Sequence, residues 1–171
     1  VGHPVTAQNQ EATRPVAAEL TLACAGFIAP TPLPEDIQIV GMEREASTDL
    51  ISQNDIVYLN KGRGANLQVG AEYQVVRNVG PVKDPKERGK TYGTLVYELG
   101  LLRIIGVTDT TATAQIKTSC SDIYMGDAVV PYEKRVSPSA RLYKPLSVVA
   151  NPTGRATGKI VAARSARELL G

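Results

Sequence analysis

The chain has 171 residues, with 19 basic and 17 acidic side chains for a net charge of +2, one His, one Phe and no Trp. A surface so close to neutral excludes the strong cationic field of a nucleic-acid binder and firm attraction to an anionic membrane. The length suits one domain with extra tail, no segment reaches the ~18 apolar residues of a membrane-spanning helix, and 15 Gly with 11 Pro favour turns over long helices.

Residues 1–17 are polar and contain proline, and they read as an N-terminal arm that is extended, disordered or docked on a neighbouring subunit. The start at Val1 followed by "GHPVTAQNQEATRP" reads as a processed N-terminus whose leader has been removed; a fragment boundary would look the same. The β-domain is expected over 18–133. Its first strand is placed at about 19–24 in "AELTLACAGFIA", and "PTPLP" at 30–34 is a rigid connector that cannot be a central strand. "DIQIVGMERE", 36–45, reads as a second strand with Ile37, Ile39 and Gly41 on one face. Leu50 and Ile51 are expected to plug a barrel end.

"IVYLN" is a strand by its β-branched and aromatic content, and "KGRGAN" supplies Gly62 and Gly64 for a tight reversal. "LQVGAEYQVVR" turns at Gly70 and continues as a strand with Tyr73 and Val75 on one face. Residues 79–93, "VGPVKDPKERGKTYG", read as a long polar loop that forms a solvated hairpin tip. In 94–120, "LLRIIGVT" and "TATAQIKTS" flank the turn "DT", and Ala112, Ala114 and Ile116 alternate with Thr113, Gln115 and Lys117. "SDIYMGD" turns the chain at Gly126, and "AVVPYE" closes the domain, with Pro131 marking an edge.

The stretches "LQVGA" and "IYMGD" share one pattern: apolar, any, apolar, Gly, then Ala or Asp. Glycine accepts positive φ, so both are read as equivalent corners of one compact unit. Seven to eight short strands at regular spacing predict an all-β fold, a small Greek-key or SH3-like barrel or sandwich, with extended N- and C-terminal arms. After Glu133 the texture becomes rich in Pro, Ser and basic residues, so 134–158 is a linker or arm. Residues 159–171 then read as a C-terminal strand or helix; "GKIVAAR" is similar to "IQIVGMER", which would make it the start of a second repeat and carry the gene product past Gly171.

Cys24 and Cys120 lie far apart, so neither belongs to a CxxC metal or redox motif. A disulfide leads, two buried free thiols are the alternative, and a reactive nucleophile has least support, because the lone His3 lies in the arm. A bridge implies an oxidising compartment.

No constellation carries catalysis. "TGRATGK", 153–159, does not fit the phosphate-loop spacing: only three residues separate Gly154 from the Gly158–Lys159 pair, and Ile160 stands where Ser or Thr is needed. Glu43, Glu45, Asp49, Asp55, Asp84, Glu87, Asp109, Asp122 and Asp127 occupy strand ends and turns, where solvated charge is the default. No metal site and no cofactor is expected. Tyr92 and Tyr97 with Lys83, Lys86, Arg88 and Lys90 form a candidate glycan-contact set.

The quoted stretches "CAGFI", "IVGMERE", "DIVYLNKGRGANLQVGAEYQVVR", "YELGLLRIIGVTDTTATAQIKTSC" and "IYMGDAVVPYE" together resemble a secreted envelope β-domain of acidobacteria that often follows a LysM module. The portion from "LQVGAEYQVVR" to "GDAVVP" also resembles the C-terminal β-domain of flagellar assembly protein T. Cys24 and Cys120 fall where the acidobacterial pattern carries cysteines, which favours the bridge. The resemblance implies a periplasmic, outer-membrane-associated or extracellular place and brings no catalytic residues; no LysM module is present here, so peptidoglycan binding does not transfer with it. The expectation is a non-enzymatic envelope or extracellular structural protein that self-associates or contacts other envelope proteins, as a subunit of a filament, tube or ring. The alternative is a module that binds peptidoglycan or another glycan.

Overall fold

The computed structural model of the protein describes residues 13–44, 50–141 and 158–162. It is an all-β protein. The main sheet is built from β2 (Phe27–Ala29), β3 (Ile39–Met42), β4 (Ile56–Leu59), β5 (Glu72–Lys83), β6 (Thr91–Val107), β7 (Ala112–Ser119) and β8 (Ala128–Pro131). Its path runs β3-β4-β7-β6-β5-β8, with β2 added to the outer half of β6. A separate ribbon pairs β1 (Thr13–Pro15) with β9 (Ser139–Arg141).

The sheet curls until its two ends meet. Gln38 bridges Ala128, and the seam holds three backbone bonds: Ile39 N to Asp127 O, Gly126 N to Ile39 O and Val129 N to Ile37 O. No continuous ladder runs along this seam, so the body is a curled sheet rather than the closed barrel that the strand spacing allows.

Alternation does the inward packing. Ala112, Ala114 and Ile116 of β7 enter the core with Val57 and Leu59 of β4, Leu99, Leu102 and Ile104 of β6, and Tyr73 and Val75 of β5. Ile51 plugs the end of this core, bridging Ile123, whereas the adjacent Leu50 stays exposed and does not. Residues 73–76 are buried without a break because β5 is covered on both faces. Gln74 and Val76 face outward, where Ala29, Leu33, Val96, Ala128 and Val130 form a second, smaller cluster around Val76.

The two glycine corners are equivalent. Gly70 and Gly126 have φ of 88° and 92°. Each is followed by a residue whose N–H bonds the carbonyl three positions back, Ala71 to Gln68 and Asp127 to Tyr124. Each also donates its own N–H across the sheet, Gly70 to Ile104 and Gly126 to Ile39. Leu67 and Ile123 open the two patterns and are both buried.

Three expectations need correction. Residues 19–23 form a short α-helix, α1, not a strand: Ala, Glu and Leu are strong helix formers, and Leu22 N reaches Ala18 O. The reversal at 61–66 is a 3-10 turn, Arg63–Ala65, completed by Asn66 at φ 62°. In it Gly62 serves close approach, since a Cβ there would lie 2.3 Å from Thr108 O, while Gly64 meets no such demand. The solvated hairpin tip is narrower than expected, only 84–90, because β5 and β6 run on as a long hairpin in which Val82 is buried. Of the expected linker or arm, residues 134–141 return along α1 to β1. The helix or second repeat expected over 159–171 falls outside the described residues beyond 162, as does the arm before residue 13.

Cys24 and Cys120 form a disulfide, with 5.6 Å between Cα atoms. The bridge fastens the C-terminal end of α1 to the chain just past β7. In the chain-entropy account a loop of this length stabilises by roughly 4–5 kcal/mol.

Candidate functional site

Three carboxylates are buried in the described structure: Asp84, Glu98 and Asp127. A buried carboxylate needs a cation and hydrogen-bond donors to stay ionised. Each of the three has both, and the source of the cation separates them.

Asp127 follows the second glycine corner. Arg77 of β5 reaches it through Nε and a terminal nitrogen, both at 2.7 Å, and Tyr124 N donates at 2.8 Å. The Arg77 guanidinium also lies 5.3 Å from the Tyr124 ring centroid. Its hydrogen bond to Asp127 pushes the Arg77 pKa up. All of these groups belong to the body, so the pair holds the corner against β5.

Glu98 projects from β6 onto the outer face. It accepts from Gly26 N at 3.0 Å and from the guanidinium of Arg135, which lies just beyond β8. Arg135 also sits over the Phe27 ring, 5.8 Å from its centroid. Beside this pair a groove of about 500 Å³ is walled by Phe27, Leu33, Pro34, Pro131 and Tyr132. Gln74 lines it and donates Nε2 to Ala23 O and Gly100 O, both at 3.0 Å, which fixes the orientation of its amide.

Asp84 stands at the tip of the β5–β6 hairpin. Its carboxylate accepts from Lys86 N and Glu87 N at 2.8 and 3.0 Å, from the Tyr92 hydroxyl at 2.5 Å and from Lys159 Nζ at 2.8 Å. The side chain is wholly buried under these donors. The Lys159 ammonium, then the Tyr92 hydroxyl, hold the Asp84 carboxyl well below the usual carboxylate range. The same contacts with Asp84 push the Lys159 and Tyr92 pKa values up.

The candidate glycan set is divided by this geometry. Lys83, Lys86, Arg88 and Lys90 are exposed around the hairpin tip with Tyr92, whose ring has Lys90 Nζ 5.6 Å from its centroid. Tyr97 packs instead against the main core, away from that tip. Asp84 and Asp127, expected as solvated turn charges, are the buried acceptors. Glu98, Arg135 and Lys159 were not anticipated as partners. The one local cue is an acidic residue inside the apolar run "LVYELGLL".

The arms meet in the β1–β9 ribbon. Val16 N donates to Pro138 O, Ala17 N to Ser137 Oγ, and Lys134 pairs with Glu19 at 2.8 Å. Val16 and Val136 remain 56% and 87% exposed. Among the described residues neither ribbon strand has a second strand beside it, no group of three His, Cys, Asp or Glu could hold a metal ion, and no helix is long and apolar enough to cross a membrane.

No protein-family model matches the chain, and no curated protein or solved structure matches it either.

Proposed function

We propose that the protein is a non-enzymatic structural domain of the cell envelope or extracellular space that works by holding extended chain segments, its own arms and those of neighbouring copies, in a repeating assembly. One observation carries this reading. Two of the three buried carboxylates, Glu98 and Asp84, take their cations from the chain after β8, through Arg135 and Lys159. A body that keeps buried acceptors for a trailing segment, at Glu98 of β6 and at Asp84 of the hairpin tip, is suited to receive such segments. The β1–β9 ribbon adds unpaired strand edges and exposed valines, the features through which sheets recruit further strands. The cystine fits an oxidising compartment, and so does the resemblance to secreted envelope β-domains.

The native mass of the particle, measured by light scattering over a hundredfold range of concentration with and without reductant, tests this. Growth in mass with concentration, and elongated or ring-shaped particles by electron microscopy, are expected. A monodisperse monomer throughout, with residues 13–17 and 134–141 open to protease, defeats it. The exposed lysines and Arg88 around Tyr92 favour a second reading, a glycan-binding module. Retention on purified peptidoglycan above a control protein of equal charge decides for that alternative.

A further inference from the structure

Residues 158–162, "GKIVA", run past β2 and β6 without joining any strand or helix. Lys159 enters the Asp84 socket and lies 3.8 Å from Glu87 Oε1. Two and three residues on, Val161 and Ala162 line a cavity of about 210 Å³ with Gly26, Ile28, Leu95 and Tyr97. Between them Ile160 is 87% exposed. The body thus offers a charged socket and an apolar seat at the spacing of Lys159 and Val161 in an extended segment.

We infer that this groove is a joint between copies: it receives residues 159–162 of a second copy of the chain. The inference rests on the self-association reading above and names its contact surface. The socket's other donors come from the hairpin itself, the Lys86 and Glu87 amides and the Tyr92 hydroxyl, so the site is built without the lysine. The incoming segment is complementary in charge, a cation for Asp84 and Glu87. Residues 142–157 connect β9 to this segment, and a chain of that length reaches on the order of 50 Å when extended. That tether permits the segment to dock on its own body or on a neighbour with the same contacts, the condition for exchange between protomers. Docking within one chain has the advantage of a millimolar-range effective concentration. Exchange therefore grows where copies are crowded, as they are in an assembly.

Charge exchange tests the joint. Chains carrying Asp84→Lys alone, or Lys159→Asp alone, oppose like charges in their own groove. Mixed in equal amounts, each segment finds an opposite charge only on the other chain. A 1:1 complex in the mixture, at concentrations where each variant alone is monomeric, is the expected result; two unmixed monomers overturn the inference. The wild-type chain provides an arm that needs no altered socket. Heavy and light isotopic forms are mixed at high concentration, activated with a carbodiimide and digested. Linked Lys159–Glu87 peptides of mixed isotope composition are expected, and single-isotope links alone overturn the joint. If the wild type forms oligomers while its links stay single-isotope, self-association stands on another surface and only the joint is lost. A wild type monomeric at every concentration defeats the broader reading instead.

Discussion

Asp127 and Asp84 are close to matched in burial, at 6% and 7% exposed, yet they do opposite jobs. Asp127 takes its cation from Arg77 in the strand beside it and locks a corner that the sheet needs in order to curl. Asp84 takes its cation from Lys159, 75 positions away and outside every strand. Removing the first partner is expected to injure the fold; removing the second is expected to release a segment and leave the fold standing. Glu98 lies between these extremes, because it holds Gly26 of the body and Arg135 of the arm at once. What separates structure from attachment in this protein is therefore the origin of the counter-charge rather than the burial of the acid.

The largest effect is expected at the internal pair. Asp127→Ala strands Arg77 and the Tyr124 amide and should lower unfolding free energy by about 3 kcal/mol, read from urea denaturation. Glu98→Ala should lower it by about 2 kcal/mol, since a charge-assisted bond and a buried amide partner are lost. Unlike the Asp127 change, it should also speed tryptic cleavage at Lys134 and Arg135 under native conditions. The glycine corners form an internal control. Gly70→Ala and Gly126→Ala force alanine into a left-handed backbone and should each cost about 1–2 kcal/mol, with values that agree because the two turns share one geometry. A large difference between them would break the equivalence.

The smallest effect on stability is expected at the hairpin tip. Lys159→Ala should leave the denaturation midpoint of the body unchanged while cleavage within 158–162 by a non-specific protease accelerates. The pH dependence of that docking follows from the direction of the shifts. The Asp84 carboxyl is held below its unfolded value, so its contribution is complete above about pH 4 and fades as the pH falls towards the depressed value. The Lys159 ammonium is raised, so its contribution is complete below about pH 10 and is lost as the pH rises through the raised value. Docking of 158–162, read from the Val161 methyl resonances, should accordingly be flat across neutral pH and fall at both ends. A loss centred near pH 6–7 would contradict this assignment.

Much of the fold could be read from local pattern. The alternation of "ATAQIK" placed Ala112, Ala114 and Ile116 in the core, and the shared "apolar-x-apolar-Gly" spacing marked both corners. Elements failed where two local signals competed. "AELTLA" alternates like a strand but is composed of helix formers, and over so short a stretch the helical preference prevailed. The hairpin was expected, but its length was hidden by two prolines and its charges: Pro81 lies within β5 and Pro85 in the loop, so the tip looked longer than residues 84–90. The sockets were illegible for a different reason. Glu98 and Arg135 are 37 positions apart, Asp84 and Lys159 are 75, and no helical or strand period relates them. Spacing reports neighbours within an element; it does not report a segment that returns after the sheet has closed around its core.

The most direct test of this account is a titration of the Asp84 carboxyl carbon by nuclear magnetic resonance, in the wild type and in Lys159→Ala. The account predicts a wild-type carboxyl that stays ionised well below the ordinary value of about 3.9, and a clear upward shift when the lysine is removed. The same titration in both proteins would mean that residues 158–162 do not occupy the socket in solution, and the reading of this domain as a holder of trailing segments would fall with it.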